Sequence, residues 1–97
     1  MDKRYTEETQ VLFEALLRLK TPEECRMLLD DLCTVKEIRE ISQRLRVAQL
    51  LRAGGSYAAI NGETGVSTAT ISRVSRCLEY GNGGYDLVLE RIGGEKP

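Results

Sequence analysis

Residues 56–76 read SYAAINGETGVSTATISRVSR, and this stretch holds two short helical patterns on either side of a glycine. Ser56 can cap the first pattern, over about 57–63, because its hydroxyl oxygen can accept a free backbone N–H. Gly65 falls between the patterns, where a positive φ suits a residue that has no Cβ. Ser67 can cap the second pattern in the same way. The stretch therefore predicts a helix, a tight turn and a second helix.

The second of these helices, over about 68–78, has two chemically different faces. Steps of three and four residues place Ile71, Val74 and Leu78 on an apolar face. The opposite face is formed by small, polar and basic residues: Thr68, Ala69, Ser72, Arg73 and Arg76. Short side chains let a helix approach base edges in the major groove, and arginine suits guanine or phosphate. The pattern is typical of the recognition helix of a DNA-binding helix-turn-helix.

Three residues that precede or begin the two helices are predicted to contact the DNA backbone. Ser67 and the free amides that follow it can meet a phosphate at the helix N-terminus. Ser56 and Tyr57 hold the same place in the preceding helix, and we expect them near the sugar–phosphate backbone. Asn61 and Gly62 lie within that helix and are expected to weaken it, glycine by roughly 0.5–1 kcal/mol relative to alanine.

Three more helices are predicted within residues 5–53. Thr6 can begin the first and Thr21-Pro22 the second. Thr34 can begin the third, with Glu37 three residues later completing a capping box. Gly54-Gly55 ends the third helix. The chain is therefore predicted to be all-α. The residues expected on the buried face of the third helix are Ile38, Ile41, Leu45, Ala48 and Leu50 or Leu51.

The first two helices have broad apolar faces that so short a chain can hardly cover. We expect a single domain, 1–97, whose first two helices pack their apolar faces against those of a second copy to form a homodimer. In this scheme 5–53 supply the dimerisation helices and a central helix, and 56–79 supply the helix-turn-helix. A last helix is predicted over 85–92, followed by a loose tail from 93 to 97. Its apolar residues are Leu87, Val88, Leu89 and Ile92.

The net charge is −1, but the charge is unevenly distributed and the middle of the chain is basic. Residues 1–33 carry five basic and eight acidic side chains, whereas residues 34–80 carry seven basic and four acidic ones. Six of the seven basic residues in the middle are arginine, the better bidentate partner for phosphate and guanine. This distribution suits local contact with double-stranded DNA, although a solvated helix surface explains it equally well.

Composition also bears on the classes of function other than DNA binding. The chain has no histidine, no phosphate-binding glycine motif and no metal-ligand set, so an enzyme is not expected. Cys25, Cys33 and Cys77 are predicted to be reduced structural thiols, and two of them can lie buried on one helix. No stretch resembles a membrane span or a signal peptide, which leads us to expect a cytoplasmic protein. A helical protein-interaction module without DNA or small-molecule ligand stays open as the alternative.

Two stretches resemble the tryptophan-repressor superfamily and, within it, the YerC/YecD family: LCTVKEIREISQRLRVAQLLRAGGSY at 32–57 and ETGVSTATISRVSRCLEYG at 63–81. The resemblance covers roughly residues 5–92. It implies a tryptophan-repressor-like helical bundle that forms an intertwined homodimer, in which the first two helices interlock with those of the partner. If the chain binds DNA, we expect the dimer to place two recognition helices in successive major grooves of a palindromic site, about one helical turn apart.

The same resemblance implies candidate residues for binding a small effector. Thr34, Arg44 in QRLR and Arg73 in ATISR match residues that bind the ligand in the tryptophan repressor, and the two arginines could hold a carboxylate. Val74 stands where the repressor has glycine, and Cys77 stands where it has a serine that helps bind the ligand's amino group. We therefore expect no cofactor, and L-tryptophan stays open as a disfavoured alternative. Another small effector, or none, stays open, as does contact of both arginines with DNA phosphate or with surface carboxylates.

Overall fold

The structure is a computed structural model that describes residues 4–94, and the described residues form helices joined by short connections, with no strand. No helix in this part of the chain is both long and apolar enough to cross a bilayer. The predicted all-α class is confirmed. In chain order the helices are α1 (Glu7–Leu17), α2 (Pro22–Leu32), α3 (Val35–Arg52), α4 (Tyr57–Thr64), α5 (Thr68–Tyr80) and α6 (Gly84–Gly94).

The predicted helix starts are confirmed by hydroxyl caps. Ser56 Oγ accepts a hydrogen bond from Ala59 N at 3.1 Å, and Thr21 Oγ1 accepts one from Glu24 N at 3.1 Å. Thr6 caps α1 and Ser67 caps α5 in the same manner. Each hydroxyl supplies an acceptor to an amide that has no partner within its helix, which explains why these helices begin where the sequence indicates.

The chain divides into two compact units, and the first comprises residues 1–38. Within its described part, α1 and α2 bury no side chain completely, and Leu17 is 83% exposed. Cys25 is exposed and Cys33, the residue that ends α2, is half-buried, so the expectation that both are buried on one helix is wrong for the single chain. The apolar residues of α1 and α2 find too few neighbours within their own unit to be covered.

The second unit, residues 39–97, contains the apolar core. Ile41, expected in the core, is 52% exposed, because it lies two turns, about 10 Å, before Ala48 on α3. Val47, which was not predicted, is fully buried, and Ala59 of α4 is exposed while its neighbour Ile60 is buried. The buried residues are Val47, Ala48, Ile60, Val66, Ile71, Val74 and Leu89.

The last helix is longer than predicted. It begins at Gly84 and includes Gly93 and Gly94, which were expected in the tail; residues 95–97 of that tail lie outside the described residues. Leu89 is its buried residue, and an ion pair of 3.4 Å between Arg52 Nε and Asp86 Oδ1 joins α3 to α6. The other predicted apolar residues of this helix remain 41–49% exposed: Leu87, Val88 and Ile92.

The capping box at the start of α3 is present as predicted. Thr34 N donates to Glu37 Oε1 at 2.8 Å, and Glu37 N donates to Thr34 Oγ1 at 3.1 Å. The hydrogen bond from the Thr34 backbone, and then the one with its side chain, lowers the pKa of the Glu37 carboxyl from its ordinary value of 4.5. The ionised carboxylate is the better acceptor for the Thr34 backbone N–H, so folding favours it.

We therefore expect Glu37→Gln to change how stability depends on pH. A carboxyl whose pKa is lower in the folded state stabilises the protein above its unfolded pKa, and this contribution is lost as pH falls through the folded pKa. Urea unfolding midpoints between pH 7 and pH 3 should fall less steeply for Glu37→Gln than for the unchanged protein. Glu14→Gln, on exposed α1, is the matched control; equal slopes for all three proteins would contradict the prediction.

Candidate nucleic-acid interface

The turn between α4 and α5 is held by four short hydrogen bonds. Gly65 adopts φ +74°, and its N–H donates to Asn61 O at 2.8 Å. Asn61 Nδ2 donates to Val66 O at 2.8 Å, and Val66 N donates to Thr64 Oγ1 at 3.1 Å. Thr64 Oγ1 in turn donates to Ile60 O at 2.7 Å. These bonds connect the end of α4 to the residue that precedes the cap of α5, and so fix where α5 begins.

Val66 and Asn61 hold this turn in different ways. Val66 is buried, as its apolar side chain indicated. Asn61 was expected to weaken α4, but its side-chain amide instead bonds to the turn, an interaction that an alanine could not make. Asparagine at this position therefore stabilises the connection between the two helices, and the signal in the sequence was its spacing of five residues from Val66.

The structure divides α5 into the two faces that the sequence predicts. Ile71 and Val74 are buried in the core and Leu78 is half-buried. All the residues predicted to face DNA from this helix are exposed: Thr68, Ala69, Ser72, Arg73 and Arg76. The same helix thus packs on the core of the second unit and leaves a surface of small, polar and basic side chains to solvent.

The two arginines of this surface differ from other arginines of the same unit. Arg46 pairs with Glu63 at 3.4 Å, and Arg52 pairs with Asp86. Arg73 and Arg76 form no ion pair with any residue in the described range 4–94. Their guanidinium groups are exposed, so both charges are available to an anionic partner.

The cap residues of the two helices have hydroxyls that are already engaged. Ser67 Oγ accepts from Thr70 N at 3.2 Å and lies 3.1 Å from Thr70 Oγ1. The amides of Thr68 and Ala69 belong to the first turn of α5, where helix geometry leaves N–H groups without an intrahelical acceptor. These amides are better placed than the Ser67 hydroxyl to meet a phosphate, which refines the prediction made from the sequence.

A depression of about 180 Å³ brings three predicted interface residues together from two helices. Tyr57, the first residue of α4, and Ser72 and Arg76 of α5 line it; we call it the Tyr57–Arg76 depression. Sequence reasoning missed the other lining residues, Ser75, Glu79 and Tyr80. Glu79 and Tyr80 lie three and four residues after Arg76, a helical spacing that places them on the same side of α5 and could have identified them.

The candidate effector residues Arg44 and Arg73 differ in the cavities that they line. Arg44 lines a cavity of about 210 Å³ together with residues of the turn, and a second, more apolar one of about 450 Å³ together with Cys77 and Tyr85. Arg73 lines neither cavity. Thr34 belongs to the other unit, and its hydroxyl accepts the capping bond of α3.

No group of three or more His, Cys, Asp or Glu side chains among the described residues is arranged to hold a metal ion. The three cysteines are free thiols.

Comparison with known proteins identifies the class to which this fold and surface belong. The sequence profile of the family described as Trp repressor protein matches residues 7–93, so the chain belongs to the Trp repressor family. It is 52% identical over 92 residues to the protein YerC of Bacillus subtilis (strain 168), covering 95% of this chain and 88% of YerC. The predicted resemblance is confirmed.

Two solved structures share the fold at high similarity. One is a proposed Trp repressor from Staphylococcus aureus, and the other is a TrpR-like protein from Eubacterium eligens ATCC 27750. Each superposes with a TM-score of 0.91 at 47% sequence identity and covers 98% of this chain. The match covers 95% of the first structure and 98% of the second. The fold is therefore Trp-repressor-like, and family membership supports a DNA-binding regulator at the level of the family.

Asn61→Ala should weaken the turn that positions α5. It removes the donor to Val66 O, so we expect the free energy of unfolding to fall by about 1 kcal/mol at fixed protein concentration. Backbone amides of residues 64–68 should also exchange with solvent faster. Asn82→Ala, in the connection before α6, is the matched control, and an Asn61→Ala protein as stable as this control would refute the role of the bond.

Proposed function

We propose that this chain is a sequence-specific transcription regulator that binds palindromic operators in double-stranded DNA as a homodimer. The observation that carries the proposal is the exposed face of α5, whose two arginines have no ionic partner among the described residues. The fixed turn before α5 supports it, because a recognition helix must keep a constant position on its own domain. Membership of the Trp repressor family is independent support.

Each part of this surface has a different task in the proposed complex. Thr68 and Ala69 in the first turn of α5 are short and exposed, so they can lie close to base edges in the major groove. Ser72, one turn later, can meet a base edge or a phosphate. Arg73 and Arg76 bind guanine or phosphate, and the amides at the start of α5 bind phosphate. Ser56, Tyr57 and Ser67 face the sugar–phosphate backbone and fix the orientation of the protein on the duplex.

Charge limits how strongly such a protein holds DNA of arbitrary sequence. Residues 56–81 of each protomer, which we call its reading head, contain two arginines and two glutamates and so contribute few cations. If both arginines of each protomer neutralise a phosphate, a dimer neutralises four, and the slope of log K against log salt is about −3.6. A modest slope of this kind leaves selectivity to the uncharged contacts of α5.

The homodimer in this proposal rests on the open faces of α1 and α2. Val11 is 63% exposed and Met27 is 68% exposed, and neither helix buries a side chain completely. A second copy of the chain provides a matching apolar surface, and covering both faces stabilises both protomers. The two-fold symmetry of such a dimer is what a palindromic operator would match.

L-tryptophan is not part of the proposed mechanism. The Val74 side chain, 1% exposed, fills core space at the position where the tryptophan repressor has glycine. Arg73 lines neither of the two cavities that Arg44 lines. Cys77 is a poorer partner for an amino group than the serine that it replaces. DNA binding is therefore proposed to proceed without this ligand.

A protein-interaction module is the second candidate function, favoured by the same open faces of α1 and α2. Binding of the wild-type protein to a fluorescent random duplex, followed by anisotropy at several salt concentrations, separates the two. A regulator binds the duplex more weakly as salt rises, whereas an interaction module shows no salt-dependent binding.

Arg76→Ala should weaken binding to all duplexes and lower the salt slope by about one unit per reading head, because one phosphate contact is lost. Arg91→Ala, on α6, is the matched control and should leave affinity and slope unchanged. Anisotropy titrations of a random duplex with both variants measure the effect. An Arg76→Ala protein that binds as the wild type does would remove Arg76 from the interface.

Leu16→Glu should dissociate the proposed dimer. It places a charge on the apolar face of α1, and we expect the dimer dissociation constant to rise more than about 100-fold, since an unpaired buried charge is costly. Sedimentation equilibrium measures this constant. Gln10→Glu, which adds the same charge elsewhere on α1, should remain dimeric; a wild-type protein that is monomeric at all concentrations would contradict the homodimer.

A further inference from the structure

The size of the Tyr57–Arg76 depression indicates what kind of ligand it can take. Its volume is about 180 Å³. Pockets for free small molecules usually begin near about 300 Å³ and enclose most of the ligand. The depression therefore suits one chemical group of a larger partner and not a free metabolite.

The lining of the depression is rich in hydrogen-bond donors. Tyr57 and Tyr80 contribute phenol groups, Ser72 and Ser75 contribute hydroxyls, and Arg76 contributes a guanidinium. Oxygen acceptors with negative charge are the groups that this set binds best, and a guanidinium can bind two such oxygens at once. A phosphodiester group on DNA has this chemistry.

The place of the depression on the two helices also favours a phosphate over a base. In a helix-turn-helix the N-terminal residues of the recognition helix contact base edges, whereas the preceding helix crosses the DNA backbone. Ser72 and Arg76 lie in the second and third turns of α5, and Tyr57 begins α4. The depression thus lies where backbone contacts are expected.

Arg76 is free to bind an anion although an acid lies near it in sequence. Glu79 follows it by three residues on α5, a spacing at which ion pairs commonly form. No ion pair joins the two side chains, and Glu79 lines the depression together with Arg76. One cation and one carboxylate therefore border the same small space.

We propose that the Tyr57–Arg76 depression holds one DNA phosphodiester group, with Tyr57, Ser72 and Arg76 as donors. The Glu79 carboxylate at its edge repels the neighbouring phosphates of the DNA backbone. This inference rests on the proposed function and assigns one backbone contact within it. Glu79 lowers affinity for every duplex alike, because it acts on the backbone and not on bases. Weak binding to non-operator DNA is the consequence.

Tyr57→Phe tests the phosphate contact because it removes one hydroxyl and keeps the ring. On one duplex that the wild type binds, we expect an affinity loss of at least about tenfold for Tyr57→Phe, and none for the control Tyr5→Phe. Each phosphate of that duplex is then replaced in turn by an uncharged methylphosphonate. At one position per half-site, the replacement should weaken the wild type but have little further effect on Tyr57→Phe.

Glu79→Gln tests the repulsion. Affinity for random and selected duplexes should rise by up to roughly fivefold per reading head at low salt, and the gain should shrink as salt is added. Glu90→Gln on α6 is the matched control and should bind as the wild type does. Unchanged or weaker binding by Glu79→Gln would overturn the role of Glu79.

The outcomes separate this inference from the proposed function. The inference fails and the proposed function stands if the wild type binds DNA and Arg76→Ala lowers the affinity, but Tyr57→Phe does not. In that case no methylphosphonate replacement has a smaller effect on Tyr57→Phe than on the wild type. If the wild type binds no duplex at any salt concentration, the proposed function fails and the inference fails with it.

Discussion

The short turn between α4 and α5 is the constraint on which the rest of the structure depends. Gly65 supplies a left-handed backbone conformation, and the Asn61 side chain bonds to Val66 O while the Val66 side chain is buried. This geometry sets the rotation of α5 on the core. Successive residues of a helix are rotated by about 100°, so Arg76, five residues after Ile71, lies about 140° away from it. Because Ile71 is buried, Arg76 faces solvent. Core packing and the exposure of the polar face of α5 therefore have one cause.

Local features of the fold could be predicted from the sequence, and non-local ones could not. The caps at Thr21, Ser56 and Ser67 depend on residues three positions apart, so the chain itself specifies them. Burial of Ile41 depends on how far along α3 the neighbouring helices extend, which no periodicity reveals. Cys25 was misjudged for the same reason, since its helix lacks covering elements within its unit.

The candidate site shows the same division between local and distant information. Helical spacing alone predicted that Ser72 and Arg76 share the exposed face of α5, but their meeting with Tyr57 depends on the angle between two helices. Glu79 was overlooked because an acid is not expected on a surface for DNA. The candidate effector residues were predicted from the family resemblance and not from the residues themselves. Arg73 is exposed on α5 because its neighbour Val74 packs into the core.

Selection from a random duplex pool at moderate salt, with and without L-tryptophan, tests the central claim most directly. That claim is that a dimer of this chain reads DNA sequence with two copies of α5. We expect the same palindrome to be enriched in both conditions, with half-sites centred about one helical turn, roughly 34–36 Å, apart. No enrichment in either condition would contradict the claim, and enrichment that requires L-tryptophan would contradict the proposed independence from that ligand.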